Sequence, residues 1–294
     1  MTEPLALVLE DRGVLAVEGS DGRSFLQGLI SNDIEKVGPE RAIWAALLTP
    51  QGKFLHEFTI FQGAPEVLLL DCEAARLADL KKRLSLYKLR SKVTVTDASE
   101  SFLVAALFGE GALERIGLPT EAGRATAFGG GQAGADPRLP DLGARAVLPR
   151  ESGAAAIAAA GFATATRDDY DRLRIALGVP DGSRDLQVEK AILLENGFDE
   201  LHGVDWDKGC YMGQELTART KYRGLVKKRL LPVSFQGPAP EPGLQVTRDG
   251  KDAGTLHSVL GETGLALLRL EHLEGELMAG ETRVLPHKPD WLSL

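Results

Sequence analysis

The stretch KGCYMGQE at 208–215 brings together the residue types that can do chemistry in this chain. Cys210 offers a thiolate, which is the nucleophilic and metal-ligating form of cysteine. Lys208 adds a positive charge two residues away. Gly209 and Gly213 bracket the thiol and permit backbone conformations closed to other residues. The following QELTARTKY has helical composition. A helix starting near Gly213 would set Cys210 just before its positive end, where a thiolate is favoured. Arg219 and Arg223, four apart, then share one helical face suited to an anion such as a carboxylate tail. Two readings fit these residues: a reactive or ligating thiol, or a small packing residue in a tight turn. One cysteine cannot hold a structural zinc or an iron–sulfur cluster alone. Cys72 is remote in sequence, His202 lies eight residues before Cys210, and no CxxC or HxxxH spacing occurs. No stable metal site within the chain is expected.

The rest of the chain sets the context for that stretch. Its 294 residues carry a net charge of −8, with 44% hydrophobic and 26% charged residues. These values suit a globular protein with a sizeable core and argue against nucleic acid as a default partner. Two cysteines suit a reducing compartment. No apolar run is long enough to cross a membrane. The N-terminus carries Glu3, Glu10 and Asp11 and has no basic presequence pattern. A cytoplasmic location, with no membrane partner, is the expectation.

Elements follow from periodicity. Residues 13–19 read as a strand and 24–30 as a short helix. TPQGK at 49–53 is a turn, and 53–61 and 66–71 are strands, the second apolar enough for burial on both faces. Residues 73–87 read as a helix, with Leu77, Leu80, Leu84 and Tyr87 as its core stripe. Lys81, Lys82 and Arg83 fall on its solvated side. Residues 91–97 and 101–109 are strands, which suggests an α+β layer. GGGQAGADPRLPDLG at 129–143 reads as a surface loop, followed by a strand at 145–149 and an alanine-rich helix at 152–160. Thr166 and Asp169 have capping-box spacing. Tyr170, Leu173 and Leu177 share a face of the helix that follows, and Gly178 and Pro180 end it. From about residue 228 the short strand-like pieces and frequent turns predict a small β domain.

Taken together, KGCYMGQE closely resembles the K-G-C-Y-x-G-Q-E motif of the YgfZ family, folate-binding iron–sulfur maturation proteins related to the glycine-cleavage aminomethyltransferase. SFLQGLISNDI (24–34), TPQGKFL (49–55), LYKLRSKVTVTD (86–97) and GTLHSVLGETGLALLR (254–269) resemble further segments of that family in the same order. The resemblance implies a three-domain α+β clover-leaf of the aminomethyltransferase type. Residues 1–48 and 150–228 would form a discontinuous folate-binding domain, 49–149 an inserted ferredoxin-like α+β domain, and 229–294 a C-terminal β-barrel. It implies tetrahydrofolate as cofactor and iron–sulfur client or assembly proteins as partners. Glu195 matches the glutamate that contacts the pterin, and Tyr170 and Asp71 match positions facing the cavity. Arg219 or Arg223 would meet the glutamate tail of the folate. The same residues admit plainer roles: Tyr170 a core aromatic, Asp71 a cap for the helix near Glu73, Glu195 a surface carboxylate. Arg12 stands where some relatives carry a second aromatic.

The function implied is an accessory factor for iron–sulfur cluster assembly or repair. Cys210 would act as a thiolate with its pKa lowered by Lys208, and Gln214 and Glu215 would position the loop. The alternative is a folate-dependent one-carbon transferase. Against it, the aminomethyltransferases lack the cysteine motif, and no counterpart of their Asn-containing segment and catalytic aspartate is found here.

Overall fold

A computed structural model describes residues 3–293. Contacts group the chain into two compact units. Among the described residues, the first comprises 3–48, 55–170 and 202–212, and the second 49–54, 171–201 and 213–293.

The first unit is built on two sheets. One has five strands, in the order Ile43–Leu48, Phe54–Gln62, Val67–Glu73, Arg12–Glu18 and Thr94–Asp97. The other has six, in the order Ala163–Thr164, Leu5–Val8, Phe102–Phe108, Ala144–Pro149, Gly131–Ala135 and Ala125–Phe128. Side chains alternate across a strand, so each strand serves two layers. In the five-stranded sheet Leu15, Val17, Phe58, Ile60, Leu68, Leu70 and Cys72 face a core completed by Leu77, Leu80 and Leu84 of the helix Leu77–Tyr87. In the six-stranded sheet Leu103, Ala105, Leu107, Ala146 and Leu148 face a second core with Ala112 and Ile157. The opposite positions, among them Arg12, Trp44, Glu57, Asp71, Phe108 and Arg145, line a seam inside the unit, and all are buried. The expected burial on both faces is realised over residues 68–71, whereas Glu66 is exposed and Val67 half-buried.

Three local expectations need correction. The strand at 67–73 runs on to Glu73 and a 3-10 turn spans 74–76, so the helix starts only at Leu77. Tyr87, assigned to the core stripe, is 41% exposed because the helix ends there. The Gly-rich segment 129–143 is not a surface loop. Gly129 and Gly130, with φ of 56° and 81°, form a two-residue hairpin turn of the kind that needs two positive φ values. The strand Gly131–Ala135 then pairs with both neighbours. A Cβ on Gly131 would lie 2.2 Å from the Val147 carbonyl oxygen, so only glycine allows this pairing. Asp136 and Arg138, just after the strand, are buried in the seam.

His56 yields a pH prediction for this unit. Burial, with help from Arg76, lowers its pKa from 6.5 to about 4, against the pull of Asp79, whose carboxylate lies 2.9 Å from Nε2. Between pH 4 and 6.5 the unfolded chain therefore binds more protons than the folded one. The contribution is fully present above pH 6.5 and is lost as pH falls toward 4. Urea unfolding at pH 7 and pH 5 should show about 2 kcal/mol of the acid loss disappearing in His56→Gln. An unchanged acid loss in that variant would refute the assignment.

The second unit contains a closed six-stranded barrel, ordered Lys228–Gln236, Thr263–Arg269, Lys251–Leu260, Gln245–Arg248, Leu277–Ala279, Thr282–Pro286. Leu231, Val233, Phe235, Val246, Leu256, Ala266 and Leu268 fill its core. The helix Arg167–Ala176 enters this unit from the first. Its start is the expected capping box: Asp169 accepts from the Thr166 backbone N–H and hydroxyl, and its own N–H donates to Thr166 Oγ1. Arg174 of that helix donates to Asp171, Asp185 and Ser258, and the Ser258 hydroxyl donates to Asp185 at 2.6 Å. That network ties helix to barrel. Among the described residues, no helix is long and apolar enough to cross a membrane.

Candidate functional site

The 208–212 loop is fixed by what Lys208 reaches. Its ammonium donates to the carbonyls of Gln27, Ile30 and Asn32 at 2.8, 2.6 and 2.8 Å. These carbonyls lie at and after the C-terminal end of the helix Gly22–Gln27, where a cation is favoured. The same ammonium lies 5.1 Å from the centre of the Tyr211 ring. Burial brings its pKa from 10.5 down to about 8, with Asp33 and Asp205 opposing. The Met212 N–H donates to the Gly28 carbonyl at 3.0 Å, and the Gln27 side-chain amide donates to the Lys208 carbonyl. Tyr211 is buried and Met212 packs on the first core. With both flanks anchored, Gly209 and Cys210 are left at the surface, and Cys210 is a free, exposed thiol. Gly209 has φ of 88° with open space around it, so its requirement for glycine is conformational.

Sequence reasoning missed the target of Lys208. It expected a charge set to lower the thiol pKa, whereas all three ammonium N–H groups serve backbone carbonyls. Only the fold brings residues 27–32 to residue 208.

The helix after the loop is Gln214–Tyr222, and Gly213, with φ of 80°, precedes its first turn. Gln214 and Glu215 begin that helix. Gly52 of the TPQGK turn approaches so closely that a Cβ there would lie 2.6 Å from the Gly213 carbonyl oxygen. Arg219 and Arg223 are exposed toward the end of the helix.

The positions expected to meet folate fall in both units. Asp71 and Tyr170 lie in the first, and Glu195, Arg219 and Arg223 in the second. Asp71 does not cap a helix. It sits mid-strand and fully buried, with Oδ1 accepting from Arg12 Nε at 2.6 Å and its backbone carbonyl accepting from Arg12 NH2 at 2.9 Å. Arg12 NH1 donates to Glu57 at 2.6 Å, and the other Glu57 oxygen accepts from Trp44 Nε1. Arg145 lies 3.7 Å from Asp71 Oδ2, donates to the Tyr170 hydroxyl at 3.2 Å and stacks over the Tyr170 ring. Arg138 is chelated by Asp136, also donates to the Tyr170 hydroxyl, and covers Trp44. Phe108 packs on Tyr170 at 5.5 Å.

Three arginines and three carboxylates thus neutralise each other inside the seam. Burial alone would raise the Glu57 carboxyl. The Arg12 guanidinium, backed by Arg138, outweighs burial and holds it below its ordinary value. Asp136 is likewise held low against burial by Arg138. Sequence reading named Arg12 only as a missing aromatic and did not find Glu57, Asp136, Arg138 or Arg145. The available signal was a charge at an inward position of a strand, as in KFLHEFTIF and RAVLP.

Asp71 and Tyr170 fit a pterin only in part: Arg12 holds Asp71 Oδ1 and Arg145 stacks over the Tyr170 ring, while Asp71 Oδ2 is buried with no hydrogen-bond partner. Glu195 does fit. It is half-buried in the 3-10 turn Leu193–Asn196, and burial raises its pKa against the nearby Lys228 and Lys53 and the backbone N–H groups of Lys228 and Lys227. A carboxylate in that setting can accept hydrogen bonds from the N–H edge of a pterin.

Among the described residues, no group of three or more His, Cys, Asp or Glu side chains could hold a metal ion.

Comparison with known proteins places this architecture. Residues 227–294 match the family model described as the CAF17 C-terminal beta-barrel domain. The chain is 35% identical to the mitochondrial iron–sulfur cluster assembly factor IBA57 of Mus musculus over 296 residues, covering 92% of this chain and 78% of that protein. Identity to the Homo sapiens protein of the same name is 34% over 306 residues, with 96% and 84% covered. The fold superposes on the glycine cleavage system aminomethyltransferase T from Bartonella henselae with a TM-score of 0.80 at 15% identity, covering 99% of this chain and 87% of that one. The expected aminomethyltransferase-like architecture is therefore the observed one. The relatives are mitochondrial proteins, which overturns the expectation of a cytoplasmic location.

Proposed function

Since the chain belongs to the IBA57 family of iron–sulfur cluster assembly factors, we propose that it serves iron–sulfur cluster assembly or repair and that Cys210 is the working group. The observation carrying this reading is an exposed thiol on a loop whose flanks are pinned by Lys208 and Met212. On meeting iron, the thiol releases its proton and supplies one soft ligand. The remaining ligands come from a client or assembly protein, so the cluster is held only while both are engaged. Lys208 is a positioning residue, and Gln214 and Glu215 open the helix that follows the loop. The test is a strain lacking this protein: its iron–sulfur enzyme activities should fall and return with the wild-type gene. Unchanged activities in the deletion strain would overturn the reading.

Tetrahydrofolate is the cofactor part of the proposal. Its support is the fold and the half-buried Glu195 carboxylate. Glu195 would accept from the pterin N–H groups, and Arg219 or Arg223 would meet the anionic tail. When bound, folate would supply a carrier for one-carbon groups. Equilibrium dialysis with tetrahydrofolate should show saturable binding that Glu195→Gln weakens by about tenfold. Asp71→Asn, tested under conditions where it stays folded, should leave that binding unchanged. Equal affinity for wild type and Glu195→Gln would remove Glu195 from the site.

A further inference from the structure

The chain carries a net charge of −8, yet residues 81–92, KKRLSLYKLRSK, contain six basic residues and no acidic one. Three of the exposed large hydrophobic side chains lie in the same stretch: Leu86, Tyr87 and Leu89, at 67%, 41% and 86% exposure. Large apolar side chains standing together in water mark an interaction surface when polar groups rim them.

Leu89 is unfavourable twice over. It is the most exposed of these side chains and its φ is +43°, a backbone region that costs a non-glycine residue about 1–2 kcal/mol. The segment is nevertheless held in place. Leu84 and Val93 on either side belong to the core. The Ser91 N–H donates to the Lys88 carbonyl and the Lys92 N–H to Asp21, both at 2.8 Å. The turn thus presents Leu89 from a fixed frame.

The cations around it are largely uncompensated. Arg83 pairs with Asp79 at 2.7 Å, and Lys81 acts on Asp97. Lys82, Lys88, Arg90 and Lys92 meet no carboxylate at ion-pair distance among the described residues.

We propose that Leu86, Tyr87 and Leu89, with Lys82, Lys88, Arg90 and Lys92 around them, dock an acidic segment of a partner protein that carries its own apolar side chains. Charge complementarity names the occupant: cations on an acidic chain select an anionic partner and hasten its encounter. Asp21 favours a protein over a membrane. It lies in the same shallow hollow as Leu89, Arg90 and Ser91. A uniformly anionic lipid surface would meet that carboxylate head-on, whereas a protein segment can place its charges to avoid it.

The test uses the full chain and a fluorescein-labelled peptide of mixed Glu and Leu residues, read by anisotropy at low and high salt. Wild type should bind, more weakly in salt. Leu89→Asp and Lys88→Glu/Arg90→Glu should each lose about tenfold or more in affinity. Lys251→Glu, an exposed charge change on the barrel, should not. The altered side chains are largely exposed, so melting temperatures should stay the same and separate docking from folding. No binding by wild type, equal binding by all variants, or a variant-sensitive binding to phosphatidylglycerol vesicles in place of the peptide would overturn the proposal. No iron–sulfur readout enters, so the fate of this surface and that of the Cys210 reading are decided separately.

Discussion

In a strain lacking this protein, Cys210→Ser is expected to leave iron–sulfur enzyme activities at the level of the deletion, while the purified variant melts at the wild-type temperature. The thiol is exposed, so replacing sulfur by oxygen removes little packing. Surface substitutions of that kind usually change stability by less than about 0.5 kcal/mol. The ligand chemistry changes completely, because cluster iron takes thiolate and a serine hydroxyl stays protonated at neutral pH. Lys208→Met should behave differently. It removes a partly buried ammonium from three carbonyl oxygens at 2.6 to 2.8 Å. Hydrogen bonds to charged groups are worth about 1.5–3 kcal/mol each, so this variant should lose stability as well as function. Function lost without stability at 210, and both lost together at 208, is the pattern of a working thiol on a pinned loop. Full rescue by Cys210→Ser would reduce Cys210 to a surface residue and move the function elsewhere.

The thiol loop was legible because its information is local. Glycines at fixed offsets, a helix start and a helical composition all lie within the 208–223 stretch, and the helix Gln214–Tyr222 forms where they predict it. The capping box at Thr166 and the barrel after residue 228 were legible for the same reason. The arginine-lined seam was not. Arg12, Glu57, Asp71, Asp136, Arg138, Arg145 and Tyr170 come from six separate segments, and they meet only through pairing within two sheets and the packing of those sheets and the Tyr170 helix across the seam. A single inward charge in a strand looks like an irregularity until its partner is known. Gly131–Ala135 concealed itself further, because GQAGA has none of the β-branched or aromatic residues that announce a strand. Gly131 is there for close backbone approach, and that requirement is visible only from the neighbouring strand.

The seam sets the second large effect. Arg12→Leu should destabilise the first unit by about 3–5 kcal/mol, because it strands charges that water cannot reach. Arg12 answers Asp71 through Nε and Glu57 through NH1, each at 2.6 Å, and both carboxylates are buried. Arg12→Lys should recover only part of the loss, since one ammonium cannot reproduce that planar fork. The pH dependence should change sign as well. In the wild type Glu57 is held below its ordinary pKa, so its contribution is present at neutral pH and lost on acidification. Without Arg12, burial raises the carboxyl pKa, so the folded variant takes up protons first and mild acidification from neutral pH should relieve it. Adding Asp71→Leu, Glu57→Leu and Arg145→Leu to Arg12→Leu removes two cations and two carboxylates and leaves Arg138 paired with Asp136, so it should recover much of the lost stability, because buried ion pairs replaced together by apolar side chains are often neutral or better. Urea unfolding of the single and combined variants measures all of this as one cycle. A cost below about 1 kcal/mol for Arg12→Leu, with unchanged pH dependence, would mean that water reaches the seam. If the combined variant is stable and still restores cluster enzymes, the ion pairs it replaces are an architectural filling of the seam, and the chemistry belongs to the loop at Cys210.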